Sequence, residues 1–178
     1  DTYRQFLDNG KTERECVVQA VEFAEAKGYV NLNDIIKSNT SIKAGDKIYY
    51  THMDKSIALF NIGTDDIELG MNILGAHIDS PRIDVKQNPQ YEDSNLVFWD
   101  THYYGGIKKY HWVAMPLAIH GVVVKTDGTR ININIGDKES DPVFCITDLL
   151  PHLGQEQMQK NAAKVIEGEA LDLLIGSR

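Results

Sequence analysis

The first amphipathic segment of the chain follows Thr12. Apolar residues recur at roughly helical spacing over residues 17–24. Thr12 and Glu15, three positions apart, form the capping-box pattern, in which each side chain accepts a hydrogen bond from the other residue's backbone. Lys27-Gly28 is a typical helix end. The pattern therefore predicts one helix that covers a core and carries no chemistry.

After this helix the pattern becomes that of strands. Two β-rich runs, residues 47–51 and 56–62, are separated by the polar residues 52–55, which indicates a hairpin. A compact apolar run, residues 71–76, then ends at His77. Central strands of α/β sheets have this appearance, and their carboxyl ends carry the chemistry. We therefore expect residues 1–85 to form part of an α/β domain.

A second, mostly antiparallel β unit is predicted for residues 86–178. Residues 87–90 are expected to break the chain, and Asp127-Gly128 is a strong tight-turn signal. Residues 131–135 alternate Ile and Asn, which predicts a strand with one buried face and one face exposed to solvent. The remaining pattern predicts strands at 96–99, 113–124 and 131–135, a helix over 155–167, and a last apolar run at 171–175.

The charge of the chain restricts its partners. The 178 residues include 18 Lys and Arg against 26 Asp and Glu, a formal net charge of -8. Nucleic acid and anionic membrane surfaces would both repel such a chain. No apolar run approaches the roughly 18 residues that a membrane-spanning helix needs. We therefore expect no nucleic-acid partner and no membrane association.

The two cysteines give information about the cellular compartment of the protein. Cys16 and Cys145 make a poor disulfide framework at this length. The sequence begins at Asp1 rather than Met, and no charged and then apolar leader precedes the first helix. The prediction is a cytoplasmic protein with reduced thiols.

The most informative stretch is residues 75–82, in which His77 and Asp79 stand two apart. In an extended chain they share a face, and a carboxylate there can hold one ring nitrogen of an imidazole whose other nitrogen binds a metal. Pro81 would end the strand and hold the pair at its end. The alternative is a solvated loop in which the two side chains only bond each other.

His152, after Pro151, is the second candidate, and its alternative is a partly exposed histidine near a helix start. We interpret Gly105-Gly106 as a plain turn. Structural or surface roles are expected for the other histidines, which are His52, His102, His111 and His120. No serine nucleophile elbow, phosphate-binding glycine loop or Cys-x-x-Cys pair is present.

Four motifs occur in one order, at residues 75–82, 101–107, 117–125 and 142–153. Together they resemble the aspartyl aminopeptidase family of zinc metallo-aminopeptidases, especially its bacterial branch. The similarity covers nearly the whole chain, and it matches the N-terminal portion of that family. Four motifs in the same order along the chain identify a family far more specifically than any one of them does.

The resemblance implies an enzyme that removes amino-terminal residues from peptides with two co-catalytic zinc ions, Co²⁺ or Mn²⁺ being other metals that could be used. Residues 1–85 would then begin the catalytic α/β domain. Residues 86–178 would belong to an inserted β-rich domain that builds dimers and a larger homo-oligomer.

The resemblance also implies roles for single residues. His77 would bind one zinc, and Asp79 would be the acid that orients an imidazole. His152 would contact the substrate site of a neighbouring subunit or bind metal, and the sequence leaves both roles open. The remaining zinc ligands and the general base match nothing in this chain.

Residues 107–112 differ from those of relatives that prefer acidic amino-terminal residues, so no such preference is implied. Two other functions stay open. One is a non-catalytic fragment or oligomerisation module, because one firm ligand cannot make a zinc site. The other is a related two-metal amidohydrolase, against which the match at residues 142–153 argues.

Overall fold

The structure, a computed structural model, describes residues 2–177 and divides into two compact units. The first unit runs to Ser80 and the second begins at Pro81. Asp1 and Arg178, which bound the two predicted domains, lie outside the described residues. No helix in the described part of the chain is both long enough and apolar enough to cross a membrane.

The predicted first helix is confirmed. Helix α2 (Glu13–Ala26) follows a shorter helix, α1 (Thr2–Asn9). Its capping box is complete, because the Glu15 amide donates to Thr12 Oγ1 at 3.3 Å and the Thr12 amide donates to Glu15 Oε2 at 2.9 Å. The helix ends at Ala26, Lys27 is its C-cap residue, and Gly28 then takes the left-handed φ of 82°.

Helix α1 was not predicted from the sequence. It is held to α2 by tertiary contacts, since the Gln19 side chain donates to the Phe6 carbonyl at 3.0 Å and the Phe6 and Phe23 rings stack 6.3 Å apart. Gly10 lies at the close approach of the two helices, where a Cβ would come within 2.9 Å of Cys16 Sγ.

The predicted hairpin of the first unit is also confirmed. Strands β2 (Lys47–His52) and β3 (Ser56–Asn61) are antiparallel, and the two-residue strand β1 (Val30–Asn31), which leads into helix α3 (Leu32–Lys37), pairs parallel to β2. Helix α2 packs on this sheet. The buried apolar residues of the unit lie on α2 and β2, and they are Cys16, Val17, Ala24, Ile48 and Tyr49.

The predicted central strand at residues 71–76 is wrong. Residues 70–81 have no regular secondary structure, and Leu74 is 99% exposed. A strand exists only where a neighbouring strand accepts and donates its backbone hydrogen bonds. No segment within residues 2–177 pairs with this run.

The second unit contains a four-stranded antiparallel sheet in the order β4-β5-β9-β8. Its strands are β4 (Arg82–Asp93), β5 (Leu96–Tyr104), β8 (Cys145–Ile146) and β9 (Leu173–Ser177). A separate hairpin pairs β6 (Ile119–Val124) with β7 (Arg130–Ile135). The core consists of Phe144, Ile146, Ile166, Leu171 and Leu173.

The hairpin turn of the second unit is confirmed. Gly128 has a φ of 84°, and the Asp127 carboxylate accepts a hydrogen bond from the Thr129 amide at 2.8 Å. The bonds from the Thr129 backbone and side chain lower the pKa of Asp127. The predicted strand at 113–124 begins only at Ile119, and before it the chain makes an isolated bridge between Leu117 and Phe144.

The break expected at residues 87–90 is wrong. Strand β4 runs through them, with a register irregularity between Val85 and Gln90 where no cross-strand partners are assigned. Pro89 lacks a backbone N–H, and an irregularity of this kind is where a strand tolerates it.

The helix predicted over residues 155–167 is mostly wrong. Only α4 (Gln155–Met158) forms. Helices this short depend on tertiary packing of an apolar face. Ile166 is buried, whereas Met158 and Ala162 are exposed, so the expected face does not form.

Candidate functional site

His77 and Asp79 lie together in the irregular segment that closes the first unit. The His77 Nδ1 atom lies 2.9 Å from the Asp79 backbone carbonyl oxygen and 3.3 Å from Asp79 Oδ1. A carbonyl oxygen can only accept, so in this arrangement Nδ1 carries the proton. The other nitrogen, Nε2, then keeps the lone pair that a metal ion requires.

The pair arises differently from the way the sequence suggested. The prediction placed both side chains on one face of a strand, and the structure joins them through the backbone of a loop. The His77 side chain is 84% exposed. This geometry fits a metal-binding imidazole, and it also fits the alternative of a hydrogen-bonded pair in a solvated loop.

A complete metal centre does not form from the described residues. Within residues 2–177, no three His, Cys, Asp or Glu side chains come together in a way that could hold a metal ion. A catalytic zinc usually takes three protein ligands and a water. His77 and Asp79 therefore fit one ligand and its supporting acid, and no hydrolytic step follows from them alone.

His152 lies in the second unit, on a hydrogen-bonded turn just before α4. The Leu153 and Gly154 amides both donate to the Leu150 carbonyl at 2.9 Å, which closes the turn. Asp148 Oδ1 accepts from the Leu149 amide at 2.8 Å and from the Gln157 side chain at 2.9 Å. His152 is exposed there, together with Leu149, Leu150 and Leu153.

The other histidines have surface or structural surroundings. His52 ends β2 and is exposed, as is His102 on β5. His111 lies edge-on to Tyr110, with the ring centres 4.6 Å apart. His120 is the most buried of the four, and its Nε2 lies 3.3 Å from the Asp137 carboxylate.

Arg82, the last residue of the motif at 75–82, meets the motif at 101–107 in the second unit, which the sequence pattern does not predict. Strands β4 and β5 place Arg82 directly opposite Tyr104. The guanidinium carbon of Arg82 lies 4.4 Å from the centre of the Tyr104 ring, and its Nε donates to Asp84 Oδ1 at 2.8 Å. The spacing of motifs 75–82 and 101–107 gives no local signal of this pairing, which depends on strand register.

The chain is similar to known proteins of one family. A family model described as aminopeptidase I zinc metalloprotease (M18) matches residues 6–176. "Probable M18 family aminopeptidase 1" of Clostridium acetobutylicum is 54% identical over 177 residues, which cover 99% of this chain and 38% of the relative.

The chain also matches solved structures. The crystal structure of an M18 family aminopeptidase from Thermotoga maritima matches with a TM-score of 0.89 and 44% identity, over 99% of this chain and 38% of that one. Aminopeptidase I from Clostridium acetobutylicum matches with a TM-score of 0.83 and 52% identity, over 98% of this chain and 38% of that one.

The chain thus spans well under half the length of the relatives that it matches. Because the family model covers nearly all of its residues, the resemblance found in the four motifs is confirmed. The chain belongs to the M18 family of aminopeptidase I zinc metalloproteases.

Proposed function

We propose that this chain is part of a metallo-aminopeptidase that hydrolyses the first peptide bond of a peptide with two co-catalytic zinc ions. Family membership supports the reaction class. One observation carries the proposal to named residues: the His77 Nδ1 bond to the Asp79 carbonyl leaves Nε2 able to bind a metal. The chain covers 38% of the length of its relative from Clostridium acetobutylicum. This share accords with a site that needs residues from elsewhere in the complete protein.

In this proposal His77 is one zinc ligand and Asp79 holds its ring in place. The exposed His77 side chain suits a ligand whose partners come from outside the described residues. A zinc ion held by His77 and by ligands from elsewhere would supply Lewis-acid chemistry, which polarises a scissile carbonyl and lowers the pKa of a bound water. The protein residues described here bind and orient, and the general base lies elsewhere.

We assign the first unit to the catalytic domain and the second to an inserted domain that mediates self-association. An exposed, hydrogen-bonded turn at residues 149–153, which carries three leucines, supports the second assignment, because exposed apolar side chains of this kind are typical of an interface. His152 on that turn would contact the substrate site of a neighbouring subunit.

The free Cys16 and Cys145 thiols accord with a cytoplasmic location.

A second function has its own support. The lack of a three-residue metal cluster within residues 2–177 favours a non-catalytic piece or an oligomerisation module. Zinc stoichiometry and an aminopeptidase assay on the 178-residue chain separate the two proposals. A chain that binds no zinc and cleaves no peptide, yet self-associates, supports the second. No observation favours a two-metal amidohydrolase.

The main proposal is tested by His77→Ala in the complete protein. We expect nearly complete loss of aminopeptidase activity and a reduced zinc content, because a primary ligand is removed. His52→Ala is the matched control, since His52 is an exposed histidine of the same unit. It should leave both quantities unchanged. A His77→Ala protein that keeps full zinc and normal turnover would contradict the assignment.

A further inference from the structure

We propose that the second unit binds an additional strand in a groove between β4 and β6, and that the part of the complete protein outside these 178 residues supplies it. The chain covers 38% of its relative from Clostridium acetobutylicum, so a complete protein of that length has further chain for such a strand. The inference concerns the second unit alone and does not depend on the metal roles proposed for His77 and Asp79.

The groove is lined by backbone from two strands. Its volume is about 530 Å³, within the range of roughly 300–1,000 Å³ that is usual for binding pockets. The lining includes residues 83–85 of β4 and residues 117–122, which contain the first part of β6. Both are consecutive runs, as expected where the edge of a strand borders a groove, because a strand face presents only alternate residues. Ile146 and Leu173 of the core also line it.

Both strands are at the edges of their sheets. Within residues 2–177, β4 pairs only with β5, and β6 pairs only with β7. A strand with one neighbour presents a row of N–H and C=O groups on its other side, where a further strand can pair. An extended segment in the groove would therefore bond to β4 and β6 together and join the two sheets.

The hydrogen bonds of the hairpin show which backbone groups of β6 point away from β7. The Lys125 amide donates to the Thr129 carbonyl at 2.8 Å, so these two residues form a hydrogen-bonded pair. Such pairs alternate along an antiparallel ladder, which makes Val123 the next residue of β6 that bonds to β7. The N–H and C=O groups of Val122 and Val124 consequently point away from β7. Val122 lines the groove, whereas Val124 lies beyond its lining.

The edge of β6 lacks the features with which proteins block exposed edges. Residues 121–124 are Gly-Val-Val-Val, with no charge and no proline, and β6 pairs with β7 in unbroken register. An exposed edge of this composition is a site for aggregation, and native proteins protect such edges. A covering strand provides that protection and satisfies the backbone groups at the same time.

The described strands of the second unit do not suit this position. A segment between two edges must pair on both of its sides, but each described strand of the unit already has a neighbour on at least one side. A second copy of this chain would offer the same strands, with one side already used. A segment from elsewhere in the complete protein can pair on both sides, and its attachment to the same chain gives it a high effective concentration.

Hydrogen–deuterium exchange resolved to single amides tests the inference in the complete protein. We expect the Val122 amide to exchange on the order of 100-fold more slowly than the Val124 amide, because only Val122 would donate to the additional strand. Val124 is the matched control, since its side chain is the same and its amide points the same way. In the 178-residue chain both amides should exchange rapidly. Rapid exchange of Val122 in the complete protein, or slow exchange in the 178-residue chain, would overturn the proposal.

Proline substitutions give a second test that does not need the shorter chain. Val122→Pro and Val124→Pro each remove an N–H that points away from β7, so the bonds between β6 and β7 remain. Val122→Pro in the complete protein should speed amide exchange in residues 83–85 by about tenfold, because the strand that bonds to both walls is held less firmly. Val124→Pro should leave this exchange unchanged. Equal exchange rates in the two folded variants contradict a shared strand.

Dilution identifies the source of the strand. Protection of Val122 by the same chain should persist when the complete protein is diluted until mass photometry shows monomers. Protection that disappears on dilution would assign the groove to a second copy, and protection that requires added peptide would assign it to a peptide ligand. Either result overturns the proposal. A complete protein without zinc and without activity would refute the proposed function instead, and the exchange of Val122 would still test the additional strand.

Discussion

The His77 Nδ1 atom lies 0.4 Å closer to the backbone carbonyl of Asp79, at 2.9 Å, than to its side-chain Oδ1, at 3.3 Å. The main bond to the imidazole therefore does not depend on the chemical identity of the Asp79 side chain. The carboxylate adds a second, weaker acceptor and a negative charge beside the ring. The two contributions can be separated by substitution.

Asp79→Asn should reduce zinc affinity of the complete protein by about tenfold, whereas loss of His77 should nearly abolish binding. Asparagine removes the charge but keeps the backbone acceptor. Chelator competition measures the change, and Asp65→Asn, at an exposed acid of the same unit, is the control. An unchanged affinity would remove the orienting role of the Asp79 carboxylate.

His152→Ala should leave the zinc content of the complete protein intact and raise KM or lower kcat, if this histidine contacts only substrate. The reason is its place on an exposed turn of the second unit, which the proposed function assigns to contact with the substrate site of a neighbouring subunit. Metal analysis together with steady-state kinetics checks the prediction, with the exposed His111→Ala as control. Loss of zinc would make His152 a metal ligand instead.

Leu171→Ala should lower the free energy of unfolding by about 2–5 kcal/mol, the range for removing a large apolar side chain from a core. Leu171 is 0% exposed and belongs to the core of the second unit. Urea denaturation measures the change. Val143→Ala, at a side chain that is 69% exposed, should change the free energy by less than about 0.5 kcal/mol. Similar losses for both variants would contradict this core.

Tyr91 should ionise at a higher pH than an ordinary tyrosine. Burial raises the pKa of Tyr91 to about 12, and the hydrogen bond from its hydroxyl to Asp172 Oδ2, at 2.7 Å, acts in the same direction. Because this pKa is raised on folding, the associated stability is complete below about pH 10 and is lost as the pH rises towards 12.

The contribution should be about 1 kcal/mol, since the residue is 39% exposed and solvent weakens the bond. Ultraviolet difference titration of the phenols checks the prediction. Burial also raises the pKa of Tyr49, so two phenols should contribute to the high-pH phase. Tyr91→Phe should reduce the amplitude of that phase by one phenol, and Tyr50→Phe should leave it unchanged. An undiminished high-pH phase in Tyr91→Phe would contradict the raised pKa of Tyr91.

The elements predicted correctly are those set by neighbouring residues. The capping box at Thr12 and Glu15 needs only residues three positions apart. The hairpin of β2 and β3 and the turn at Asp127-Gly128 likewise depend on short-range signals. Family membership also followed from the sequence, since four motifs in one order are a property of the chain alone.

The predictions that failed each required a partner that local pattern does not specify. The apolar run at residues 71–76 resembles a strand, but no described segment pairs with it. Residues 87–90 look like a break, and β4 continues through them because an irregularity in its pairing with β5 accommodates Pro89. The predicted helix at 155–167 lacks a surface that would cover Met158.

The sequence by itself determined the family, helix α2, the hairpins and the proximity of His77 to Asp79, because these depend on residue order over short distances. Only the tertiary structure decided that this pair is joined through a backbone carbonyl in a loop and that Arg82 stacks on Tyr104. The loop contact depends on packing and the Arg82–Tyr104 contact on strand register, and both depend on the free energy of the whole fold.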